Sequence, residues 1–165
     1  MNTQELALEL ERCTNDVLAL LAAAPDEAIF RKPGDSQWSA AEVVEHLILL
    51  EFGVLRILGG TSLPPTRAHD AEVPAILDAL EDTTRTLHAP PPIAPTGRYQ
   101  DREKLVTAFS GVRGKLRLWL PDHDVTLLYP DFRHALFGEL TGYEWICFVI
   151  GHTRRHMQQM QRAMA

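Results

Sequence analysis

The sequence predicts an all-α protein, a four-helix bundle with a long crossover connection and a short extra helix. Three observations carry this. Four long segments place apolar residues at three- and four-residue steps, which puts one apolar face on each helix. No segment shows sustained alternation of apolar and polar residues, the mark of a half-buried strand. The stretch from Thr61 to Gln100 is long enough to span a bundle, so the second and third long helices can lie parallel across it. A chain of 165 residues fits one domain, here residues 1–165.

The first helix is expected over Thr3–Ala24, with Leu6, Leu10, Cys13, Val17, Leu20 and Leu21 on its apolar face and Pro25 as its stop. The second begins at Ser39. Glu42, three residues on, completes a capping box in which each side chain satisfies the other's free backbone N–H. Val43, Leu47, Leu50, Val54 and Leu58 continue its stripe, and Gly59-Gly60 ends it. Thr61–Asp70 reads as a loop and Glu72–Leu87 as a short amphipathic helix. Ala89–Arg98, with four prolines and Gly97, reads as an extended connector.

The third long helix is expected over Asp101–Leu120, with Leu105, Phe109, Val112, Leu116 and Trp119 inward, Gly111 and Gly114 marking close packing, and Pro121 as its stop. Asp124–Leu140 reads as coil or a short strand at Val125–Tyr129. The last helix opens at Thr141, with Glu144 completing a second capping box, and runs to the C-terminus.

Composition bounds the function classes. Hydrophobic residues make up 45% and charged residues 23%, the balance of an ordinary globular domain. A net charge of −6 argues against nucleic acid, which needs a basic patch. The basic run Gly151–Arg162 fits a solvated helix face that complements the helix dipole. Cys13 and Cys147 lie in helical patterns among apolar residues and read as buried thiols. The acidic N-terminal segment does not resemble a secretory signal, and no apolar run is long enough to cross a membrane; the expected location is the cytoplasm.

The chemistry sits in the histidines. His69, His88, His123 and His134 fall in loops or near helix ends and read as incidental. His152 and His156 are four residues apart on the last helix, which stacks the two rings on one face. Trp145, Val149, His152 and His156 step by four, three and four, so the rings continue a core-facing stripe. One reading is a pair of core histidines hydrogen-bonded to neighbours. The other is a metal site, for which His46 on the second helix supplies a third inward imidazole. Burying three imidazoles without partners is costly, and a divalent cation removes that cost. Three histidine ligands leave a coordination position open, as in catalytic sites. HTRRH lacks the glutamate that follows the first histidine in zinc peptidases, so no peptidase reading follows.

Two segments resemble the DinB/YfiT-like superfamily, in particular its DinB-like branch. WSAAEVVEHLILLE at 38–51 is similar to the family's second-helix segment. HALFGELTGYEWICFVIGHTRRHMQQMQR, from His134, is similar to its C-terminal segment, with a Phe-Gly turn, then Thr-x-x-Glu-Trp, His, Arg-His and Gln. The resemblance implies up-down-down-up topology, His46, His152 and His156 as metal ligands, and a homodimer. It also implies one of the superfamily's activities: thiol-dependent S-transfer, mycothiol-dependent isomerisation or metal-dependent hydrolysis.

The expected function is a metal-dependent hydrolase or thiol S-transferase acting on a small-molecule substrate, with a low-molecular-weight thiol as cosubstrate in the second case. A cation in the site would activate water or that thiol. Zinc, nickel and iron are the expected metals, since imidazole suits each of them. Glu42, Glu45, Arg155 and Gln159 are the candidate auxiliary groups, capping being the main expectation for Glu42. The alternatives are a non-catalytic metal-binding or stress-associated bundle, and a bundle whose histidines bind nothing.

Overall fold

The structure, a computed structural model, describes residues 2–82 and 89–165. It is mostly helical, with four long helices: α1 (Thr3–Ala23), α3 (Ala40–Leu58), α5 (Arg102–Asp122) and α6 (Gly142–Met164). Two short helices, α2 (Asp26–Phe30) and α4 (Val73–Glu81), a 3₁₀ turn at Pro91–Ile93 and a hairpin of β1 (Leu128–His134) and β2 (Gly138–Thr141) complete the described elements. Both predicted capping boxes form, Ser39 with Glu42 at α3 and Thr141 with Glu144 at α6. Asn2 and Glu5 make a third at α1.

Each of α1 and α3 packs against both α5 and α6. The core falls into two groups. In one, Leu6, Leu10 and Cys13 of α1 meet Leu50, Val54 and Leu58 of α3, Leu116 and Leu120 of α5, and Trp145–Ile150 of α6. In the other, Val17 and Leu21 meet Val43, Val44 and Leu47, Leu105, Phe109 and Val112, and Met160. A buried polar layer bears on both groups. Arg113 donates to Glu51 Oε1 (2.7 Å), to Cys13 Sγ (3.1 Å) and to Thr153 Oγ1. Burial pushes the Glu51 carboxyl up, opposed by the Arg113 guanidinium beside it.

Four expectations need correction. Pro121 does not stop α5, which runs one residue further to Asp122. In the last turn a missing N–H removes only one hydrogen bond, and the end is closed instead by His123 Nδ1 donating to the Trp119 carbonyl (2.8 Å). Gly111 and Gly114 do not mark close packing, since a Cβ on either would meet nothing within 4 Å. The close approaches are at Gly142, whose Cβ would lie 2.9 Å from the Trp119 ring, and Gly151, 2.9 Å from Leu80 Cδ1. The Asp124–Leu140 region holds both strands of an antiparallel hairpin, paired Leu128 to Thr141 and His134 to Gly138. The helix expected over Glu72–Leu87 spans Val73–Glu81; positions 83–88, His88 among them, lie outside the described residues.

No helix among the described residues is long and apolar enough to cross a membrane. The connector is extended apart from a 3₁₀ turn at Pro91–Ile93 and a left-handed Gly97, and the 3₁₀ turn packs against α3.

Candidate metal centre

His46 enters from the first half of α3, and His152 and His156 from the middle of α6, where the two helices pack together. The Nε2 atoms of His46 and His152 are 3.3 Å apart, and those of His152 and His156 are 3.1 Å apart. The three residues form the one group of three or more metal-capable side chains found among the described residues. His46 and His152 are buried and His156 is partly buried. The rings are flanked by Trp38, 5.1 Å from His46 and 6.5 Å from His156, and by Phe148, stacked on His152 at 5.4 Å.

The outer nitrogens decide what the inner ones offer. His46 Nδ1 lies 2.7 Å from the Ile93 carbonyl oxygen, and His156 Nδ1 lies 2.7 Å from Gln159 Oε1. Both partners only accept, so each Nδ1 carries a proton and each Nε2 of the neutral ring presents a lone pair. Burial holds the His46 ring below the ordinary histidine range, offset in part by the Ile93 bond. His156 is pushed down to about 3, first by burial and then by the nearby His46. His152 is held well below the ordinary range, first by burial and then by its two histidine neighbours.

Three neutral rings whose Nε2 atoms lie 3.1–3.3 Å from a neighbour therefore share at most one proton among those atoms, the one His152 can place there. That single proton can be directed at only one of the two neighbouring nitrogens, so the cluster is short of donors. A divalent cation fits this arrangement. Nitrogens bound at about 2.0–2.1 Å in tetrahedral directions lie about 3.3 Å from one another, close to the spacings found here. The buried His152 Nδ1 has no hydrogen-bond partner among the described residues, so that ring is the least tied of the three on its outer side.

The sequence profile of the DinB superfamily matches residues 9–160. The chain belongs to the DinB superfamily. Among curated proteins this DinB-superfamily chain is similar to the uncharacterized protein YuaE of Bacillus subtilis (strain 168), 27% identical over 148 residues that cover 86% of each chain. No solved structure matches it.

The auxiliary candidates sort by what they touch. Glu42 caps α3 and also pairs with Lys32 at 2.8 Å, as a capping role requires. Gln159 bonds the His156 ring. Arg155 donates to the Leu80 and Asp82 carbonyls at the end of α4. Glu45 is almost wholly buried, and both its oxygens bind the connector at Thr96–Arg98.

Of the histidines read as incidental, His123 caps α5, and His69 packs edge-on to Tyr143. His134 lies in β1 among Phe137, Trp145 and Phe148, where burial lowers its pKa. The Ile93 carbonyl escaped the sequence reading because a backbone acceptor in a proline-rich segment carries no side-chain signal. Trp38 and Phe148 stand within or beside the segments that flagged the site, but only the fold sets their rings against the imidazoles.

Proposed function

We propose that His46, His152 and His156 hold one divalent metal ion and that the protein is a metal-dependent enzyme, a hydrolase or a thiol S-transferase. The observation that carries the reading is the convergence of three Nε2 atoms, two of them stripped of protons by the bonds at Nδ1. Bound there, a divalent cation supplies the Lewis acidity that lowers the pKa of a water or a low-molecular-weight thiol at an open position. The chain's own residues do the rest. Ile93 and Gln159 orient two rings, and Trp38 and Phe148 exclude water from the sides of the site. His156, the least buried of the three, is where a small-molecule substrate has access.

The bundle reading belongs with this one: one domain, with α1 and α6 running one way and α3 and α5 the other, an up-down-down-up arrangement. Supporting it, the first half of α1 and of α6 share one core group with the second half of α3 and of α5.

The second reading is a non-catalytic metal-binding role. Two surface clefts, about 250 and 330 Å³, lie elsewhere on the molecule, and none of the three histidines lines either. Metal analysis of protein purified without a histidine tag tests the shared premise. About one equivalent per chain is expected after zinc or nickel addition, and less than about 0.2 would sink it. Metal-dependent turnover in screens of small esters, amides and thiol-reactive electrophiles then separates enzyme from binding protein.

A further inference from the structure

Glu45 and His46 are adjacent on α3, yet both reach the same connector. The Glu45 carboxylate accepts four hydrogen bonds from it: Thr96 N–H and Oγ1–H at 3.0 Å each, Gly97 N–H at 2.9 Å and Arg98 N–H at 3.0 Å. Three residues upstream of Thr96, the Ile93 carbonyl accepts from His46 Nδ1 at 2.7 Å. Hydrogen bonds to a carboxylate are about twice as strong as neutral ones, so this anchor is a strong attachment of the connector to α3.

The clasp also has a backbone requirement. Gly97 adopts φ +72°, a conformation side-chain-bearing residues rarely take. That turn lets successive N–H groups point at one carboxylate. The 3₁₀ turn at Pro91–Ile93 and the extended residues after it leave little slack between the clasp and the Ile93 carbonyl.

We propose that Glu45 is a positioning residue for the metal centre: by clasping Thr96–Arg98 it holds the Ile93 carbonyl against His46 and so fixes that ring with its proton on Nδ1 and its lone pair on Nε2. This deepens the metal reading above and rests on it for its consequence. Partners of ligating histidines tune affinity by 10–100-fold in metal sites generally. Glu45 acts one step further out, through a backbone segment. Docking of the connector and occupancy of the site are then coupled, so the metal protects the connector and the connector tightens the metal.

The test compares wild type with Glu45→Gln and Gly97→Ala, the second opening the clasp from the connector side without altering α3. Zinc(II) affinity is measured by chelator competition, the His46 tautomer by ring ¹⁵N shifts in metal-free protein, and the connector by amide exchange at 96–98. Both variants are expected to raise exchange at 96–98, to move His46 out of the pure Nδ1–H tautomer and to weaken zinc binding by about tenfold or more. Faster exchange with an unchanged tautomer and zinc affinity within about twofold would overturn the proposal, as would unchanged exchange in Glu45→Gln. Should wild type take up no zinc while the variants still shift the tautomer, the metal reading falls and the positioning role of Glu45 stands.

Discussion

His46 and His152, 106 residues apart in the chain, bring their Nε2 atoms to 3.3 Å across the packing of α3 on α6. The contact joins two helices through groups that, in neutral rings, hold one proton between them at most. Without a cation it is at most a single N–H···N hydrogen bond; with one it becomes a cross-link. Stabilisation by metal should therefore be large and should depend on each ring.

Replacing His152 by Ala tests this dependence. A ligand that binds only the folded state adds about 4 kcal/mol at a thousandfold excess over its dissociation constant. Wild type is expected to gain on that order when zinc is added, and His152→Ala to gain almost nothing while keeping a helical, cooperative melt. A variant that keeps the zinc-dependent gain would show that the ion binds elsewhere.

The depressed histidines set a pH dependence for the metal-free protein. Each ring titrates near 6.5 when unfolded, whereas His156 in the fold titrates near 3 and His152 far below its ordinary range. Below 6.5 the unfolded chain binds protons that the folded chain refuses, so stability is lost as the pH falls. For His156 the loss begins near 6.5 and continues to about 3, at up to about 1.4 kcal/mol per pH unit. Denaturant melts at pH 7.5 and 5.5 in a chelator should show the fall, and His156→Ala should lose less. Equal slopes in the two proteins would contradict the burial argument.

The buried pair Glu51 and Arg113 leaves Glu51 Oε2 and Arg113 Nε without partners among the described residues. Removing one member strands a charge, which costs about 3–5 kcal/mol, whereas replacing both with apolar residues is often neutral. Arg113→Met is expected to be severely destabilised, and Glu51→Met/Arg113→Met to recover most of the loss in urea denaturation. A double variant as unstable as the single would assign the layer a larger role than this pair.

Two glycine substitutions should have opposite signs. At Gly142 a methyl would meet the Trp119 ring at 2.9 Å, the Val125 carbonyl at 3.2 Å and Tyr129 at 3.3 Å. Overpacking of this kind costs about 1–3 kcal/mol. At exposed Gly111 a methyl meets nothing, and Gly→Ala in a helix interior gains about 0.5–1 kcal/mol. Thermal melts of Gly142→Ala and Gly111→Ala read both directly.

The helices and the three histidines were legible because both signals are local and periodic. A 3.6-residue repeat marks the inward face, and His46, His152 and His156 ride on it. Capping boxes at Ser39 and Thr141 located two helix starts for the same reason. The hairpin was half hidden, since β1 carries Pro130 and the exposed Asp131 and Arg133 and shows no sustained alternation. Gly111 and Gly114 misled because a glycine's meaning depends on what faces it. The clasp of Glu45 on Thr96–Arg98 was out of reach: three of its four donors are backbone N–H groups about fifty residues away, and every residue but proline offers one.

The site stands or falls on where a zinc ion sits. Anomalous diffraction from zinc-soaked crystals, collected on either side of the zinc edge, locates it. One strong peak is predicted at about 2.0–2.1 Å from Nε2 of His46, His152 and His156 alike. No peak there under saturating zinc, or a peak held by other side chains, would contradict the central claim.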